Sequence, residues 1–138
     1  MSNKIDPKKS WMILQENKTS YVIDVRPEPE AIYGGKPDLS ELKKETINIP
    51  YTLYPSMREN PNFVREFNKF IFNDNSVTFL ICKDGTLSER AAEKLKQAGK
   101  KNECYTIENG FEGQMSDMEK KRSMINGWKA SGLPYEDD

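Results

Sequence analysis

Residues 77–82 read Val-Thr-Phe-Leu-Ile-Cys, an almost unbroken apolar run. Successive side chains of a strand point to opposite faces, so a run of this kind leaves no face for water and must be covered on both sides. Strands buried in that way belong to parallel sheets packed between two layers of helix. Three further segments supply neighbours. Residues 20–25, SYVIDV, are rich in β-branched and aromatic types and stop at Arg26-Pro27; residues 104–107, CYTI, form another run; residues 46–50, TINIP, form a brief one.

Helical patterns lie between these runs. Asp6 before Pro7 is an N-cap followed by a proline at a position where no amide donor is needed, so a helix starts there and continues to Gln15 through Trp11, Ile13 and Leu14. Asn60-Pro61 opens another, in which Phe63, Val64, Phe67, Phe70 and Ile71 recur at three- and four-residue spacing as a core-facing stripe. Residues 86–98 place Ala91, Ala92, Leu95 and Ala98 on one face, and Gly99 ends that helix. Residues 28–45 carry prolines, the Gly34-Gly35 pair and many charges, which predicts a loop with a short helix at about 39–43. Turns are expected at 73–75 and at Asn109-Gly110, and the tail holds Phe111, Met115, Trp128 and Leu133 among polar residues. Trp11 and Trp128 read as packing residues. Strands alternating with helices over 138 residues predict a single α/β domain, residues 1–138, around a mainly parallel sheet.

Charge and composition narrow the function. Lys and Arg number 21 against 22 Asp and Glu, and no segment has the basic excess that phosphate-backbone binding needs, so nucleic acid is not an expected partner. No stretch reaches the 18 apolar residues of a membrane span, and MSNKIDPKKS lacks the apolar core of a signal peptide, so a cytoplasmic location, no membrane and reduced cysteines are expected. Histidine is absent. That excludes Cys-His and Ser-His dyads, and two isolated cysteines without C-x-x-C spacing make no ordinary zinc site; no metal or cofactor is expected. A monomer is the default expectation.

Cys82 stands where a strand stops and a helix is about to begin. In parallel α/β sheets ligands gather at the carboxyl ends of strands. Thr86 and Glu89 have the T-x-x-E spacing of a capping box, so the helix is expected to start near Thr86 or Leu87, with its unpaired amides and positive dipole end beside the cysteine. Helix N-termini lower a cysteine pKa from its ordinary value of about 8.5, and a nucleophilic thiolate is thereby expected without imidazole. Cys104, inside a strand run, reads instead as a small buried hydrophobe. A cysteine phosphatase or arsenate reductase loop, C-x5-R, would need arginine at the position of Ser88.

These residues carry a resemblance. LICKDGTLSERAAEKLKQAG resembles the active-site loop and following helix of the rhodanese family; YVIDVRPEPE and INIP resemble its first two signatures, and YTIENGFEG and NGWKASGLPY the segments after the active-site helix. Over about residues 6–135 the resemblance implies a rhodanese-like three-layer sandwich with a five-stranded parallel sheet flanked by helices. It implies that Cys82 accepts sulfane sulfur as a persulfide and passes it to a nucleophile. Lys83, Asp84, Gly85, Thr86, Leu87 and Ser88 would curl their amides into an anion nest suited to thiosulfate. Arg26 would anchor loops near the site, and Asp24 would be structural.

The loop departs from the family pattern. Lys83 and Leu87 stand where the family has two arginines, Asp84 adds a negative charge that opposes an anion, and the second signature lacks its preceding histidine. Arg90 is expected to point outward rather than replace the cation lost at Leu87. Two functions follow: a sulfurtransferase loaded by thiosulfate, another small sulfur anion or a thiol persulfide, with a thiol, cyanide or carrier protein as acceptor; or a catalytically weak rhodanese-like binding or regulatory module.

Overall fold

The computed structural model of the chain describes residues 3–71, 75–113, 115–116, 121–122 and 126–136. Five strands form one parallel sheet: β1 (Asn3–Ile5), β2 (Ser20–Asp24), β3 (Ile47–Asn48), β4 (Val77–Ile81) and β5 (Glu103–Ile107), in the order β1-β5-β4-β2-β3. The apolar run is the central strand, β4, and it pairs with β2 from Ser20 opposite Val77 to Asp24 opposite Ile81.

Alternation along the strands divides the core in two. Val22, Phe79 and Ile81 face one side with Ile5, Leu14, Ile107, Phe111 and Trp128; Ile23, Leu80 and Cys82 face the other with Val25, Tyr51, Phe63, Phe67 and Leu95. Val22, Ile23, Phe79, Leu80 and Ile81 are wholly buried. Each such side chain contributes about 2 kcal/mol of transfer free energy, which is why both faces are covered. The helices are α1 (Pro7–Glu16), α2 (Glu28–Tyr33), α3 (Phe63–Phe70), α4 (Thr86–Gln97) and α5 (Gly127–Ala130). α3 and α4 supply the layer over Cys82, and α1 and α5 the layer opposite. Among the described residues, no helix is long and apolar enough to cross a membrane.

Local chemistry accounts for the element ends. The Asp6 carboxylate accepts from the Lys8 amide at the start of α1. Gly99, at φ 81°, ends α4, with the Lys100 amide donating back to the Leu95 carbonyl, the signature of a left-handed glycine cap. A Ser40–Leu42 3-10 turn lies where a short helix was predicted. Three expectations need correction. α2 occupies part of the supposed loop, because Pro29 falls in its first turn, where a missing amide donor costs nothing. Phe70 is 51% exposed: α3 ends there, and Ile71, leaving helical geometry, takes the core position. Ala98 is exposed as the C-cap of α4, whose buried face is Ser88, Ala91, Ala92 and Leu95. Of the tail residues, Phe111 and Trp128 are buried and Leu133 half-buried, whereas the Met115 side chain, like residues 73 and 74 of the expected turn, lies outside the described structure.

Candidate active site

Cys82 follows the last residue of β4, and the crossover to β5 begins with the loop that leads into α4. Its side chain points to the α3/α4 layer, the same side as Leu80, as a two-residue period requires. Main-chain donors meet it there. The Gly85 amide lies 3.1 Å and the Ser88 amide 3.3 Å from Sγ, and the thiol donates to Ser88 Oγ at 3.5 Å. Ser88 Oγ in turn donates to the Gly85 carbonyl at 3.0 Å, closing a small ring of bonds at the first turn of α4. Amide donors converging on one sulfur at a helix N-terminus are suited to negative charge there. Cys82 is only 1% exposed, packed among the cluster that includes Tyr51, Val25 and the half-buried Leu87.

The loop takes this shape because of its glycine. Gly85 is the N-cap of α4 at φ 101°, a conformation that a side chain would strain, and a Cβ there would lie 3.3 Å from the Asn109 nitrogen. The helix thus starts at Thr86, and the expected capping role of Thr86 passes to Asp84, whose Oδ1 accepts from the Thr86 amide at 3.1 Å and the Thr86 hydroxyl at 2.8 Å. The amide cup is therefore narrower than the sequence implied: Gly85 and Ser88 donate to sulfur, whereas the Thr86 amide serves Asp84.

A second segment clasps the loop from behind. The Phe111 amide donates to the Cys82 carbonyl at 2.7 Å and the Glu112 amide to the Lys83 carbonyl at 2.9 Å. Gly110 makes that approach possible: a Cβ there would lie 2.4 Å from the Cys82 carbonyl oxygen and 2.7 Å from the Asp84 nitrogen. Its own carbonyl accepts from the Trp128 amide at 2.8 Å, so α5 holds the clasp in place. Sequence reasoning found the Asn109-Gly110 turn but not its contact with the cysteine loop.

Arg26 and Asp24 form a buried pair, each 1% exposed. Arg26 Nη2 donates to Asp24 Oδ2 at 2.6 Å and to the Gly35 carbonyl at 2.6 Å, and its guanidinium lies 5.1 Å from the centroid of Phe111. Arg26 therefore braces β2, the segment after α2 and the residue bonded to Cys82. Lys83 is half-buried beside a cleft that Arg26 also lines. Arg90 is exposed, 5.5 Å from the Tyr51 ring centroid, and does not stand in for the cation absent at Leu87. At Cys104, burial pushes the thiol pKa above its ordinary value, despite a hydrogen bond with Thr78.

Comparison with known proteins places this geometry in a family. The sequence profile of the Rhodanese-like domain family matches residues 7–117. The chain belongs to that family. An uncharacterized protein of Rickettsia rickettsii is 32% identical to this rhodanese-like protein over 130 residues, covering 93% of this chain and 92% of the relative. The crystal structure of Rv0390 from M. tuberculosis is similar at a TM-score of 0.84 and 30% identity, covering 99% of this chain and 98% of that one. The polysulfide-sulfur transferase homodimer of Wolinella succinogenes has the same fold, with a TM-score of 0.64 at 23% identity, covering 99% of this rhodanese-like chain and 80% of the other.

Proposed function

We propose that this rhodanese-like protein is a sulfurtransferase that carries sulfane sulfur as a persulfide on Cys82. The observation that supports this most is the pair of amides, from Gly85 and Ser88, directed at one sulfur at the start of α4. In the first half-reaction the Cys82 thiolate attacks a sulfane sulfur, the donor's sulfur–sulfur bond breaks, and the electron pair leaves with the donor remnant. In the second, a nucleophile attacks the outer sulfur of the persulfide and the thiolate returns. Splitting transfer into two displacements is the usual gain of covalent catalysis. The negative charge rests on the Cys82 sulfur before loading and returns to it on unloading, and the two amides already point there. Because Cys82 is only 1% exposed at rest, loading requires its surroundings, which include Tyr51 and Leu87, to shift.

Intact-mass spectrometry after incubation with thiosulfate, polysulfide and cysteine persulfide tests this. Wild type and Cys104→Ser gain one sulfur, and Cys82→Ser gains none. A second reading, a binding or regulatory module, draws on Leu87 at an arginine position and on the Asp84 charge. Failure of all three donors to load wild type decides for the module.

A further inference from the structure

Beside the cysteine loop lies a cleft of about 450 Å³, within the range of organic-ligand pockets. Its walls are Pro29 and Tyr33 of α2 and, across from them, Tyr54 and Met57 at the tip of the hairpin that pairs Thr52–Leu53 with Arg58–Glu59. Tyr33, Tyr54 and Met57 are 76%, 64% and 44% exposed. Three large side chains held in water around one cleft are a stronger signal than the same residues scattered singly. Lys83, the neighbour of Cys82, lines the cleft.

The charges of the cleft oppose a small dianion. Glu30 and Glu112 line it with Lys83 and Arg26, and the Arg26 guanidinium is bonded to the Asp24 carboxylate and the Gly35 carbonyl. Two carboxylates thus balance the two cations, one of which is already engaged. Asp84, on the other side of the loop, adds a further negative charge. A compact, doubly charged anion finds little net countercharge here, and it leaves the aromatic walls unused. An uncharged or singly charged molecule with an apolar body uses both features.

We infer that the donor is an organic persulfide with an aromatic or other apolar body, seated between α2 and the 52–59 hairpin, rather than thiosulfate. This rests on the sulfurtransferase reading of Cys82 and names its substrate class. The step is RSSH + Cys82–S⁻ → Cys82–SSH + RS⁻. The donor's sulfur–sulfur bond breaks, a new one forms at Cys82, the proton stays on the transferred sulfur, and the pair leaves on the organic thiolate beside Lys83. No external oxidant or reductant is needed.

The test measures kcat/KM for Cys82 loading by intact mass with benzyl persulfide, inorganic polysulfide and thiosulfate. Benzyl persulfide is expected to exceed thiosulfate at least tenfold. The double variant Tyr54→Ser/Met57→Asn, in which asparagine accepts the positive φ of 58° at position 57, lowers the benzyl-to-polysulfide ratio about tenfold. Both side chains are exposed, so circular dichroism should show an unchanged fold. Thiosulfate matching benzyl persulfide, or a ratio that the double variant leaves unmoved, overturns the inference while polysulfide loading preserves the sulfurtransferase reading. If no donor loads Cys82, both are overturned.

Discussion

Leu87 belongs at once to the cysteine loop and to the core. It packs half-buried against the cluster that contains Cys82, at a position where the resemblance places a cation. Leu87→Arg adds positive charge near the sulfur and removes apolar packing. Thiosulfate turnover is expected to rise severalfold, and urea denaturation should show a loss of about 1–2 kcal/mol from the vacated apolar contact. An unchanged or lower rate means that a missing cation does not limit this site. Gly110 acts through space alone. Gly110→Ala sets a methyl against the Cys82 carbonyl and the Lys83 and Asp84 backbone at a φ of 62°. Overpacking and left-handed strain together should cost about 3 kcal/mol and displace the clasp, visible as a lower denaturation midpoint and faster alkylation of Cys82.

Among elements, the Asp24–Arg26 pair joins the end of β2 to the segment after α2 and to Phe111. Removing one partner leaves the other charge buried, a loss of about 3–5 kcal/mol, whereas replacing both with uncharged residues of similar size is much milder. Asp24→Asn and Arg26→Met are therefore expected each to destabilise more than the double variant, measured as a double-mutant cycle in urea. Additive losses would show that the charges do not depend on one another. The resemblance singled out Arg26 as a loop anchor and Asp24 as structural but not their pairing, whereas period and composition made visible β2, β4, β5, α1, α3 and α4. β1 was not legible: Asn3–Ile5 has three residues and one buried side chain, and its strand character comes from pairing with Tyr105–Ile107. α2 was hidden because Pro29 and Gly34 read as loop punctuation, although both sit at helix ends where they are tolerated. Within the site, Cys82 was legible from the strand-loop-helix order, and Gly85 and Ser88 from the resemblance of the loop. Gly110, Phe111 and the aromatic rim were not, because they reach the loop only through contacts between segments far apart in sequence.

At the scale of the molecule, titration couples the fold to pH through groups outside the loop. Burial raises the Cys104 pKa above 9.0; hydrogen bonding to Glu103, then burial, raises Tyr105 above 10.0; burial, with the nearby Glu59 charge, raises Tyr51 above 10.0. For all three the unfolded chain releases its proton first as pH rises. Their contribution is therefore complete below about pH 9 and is lost as pH climbs through the folded values. Lys44 has the opposite sign: desolvation lowers its pKa from 10.5, so above its folded value folding becomes easier until the unfolded lysine also loses its proton. Three groups against one predict a Tm that is level from about pH 7 to 9 and falls above it. Scanning calorimetry at constant ionic strength checks this, and Cys104→Ala should remove the part of the decline that begins first, near 9. A Tm that rises through this range would mean that Lys44, held by the Asn17 and Ser20 carbonyls, outweighs the three acids. Because the decline starts above neutral pH, loading rates compared between pH 7 and 8.5 report on Cys82 and its donor rather than on loss of the fold.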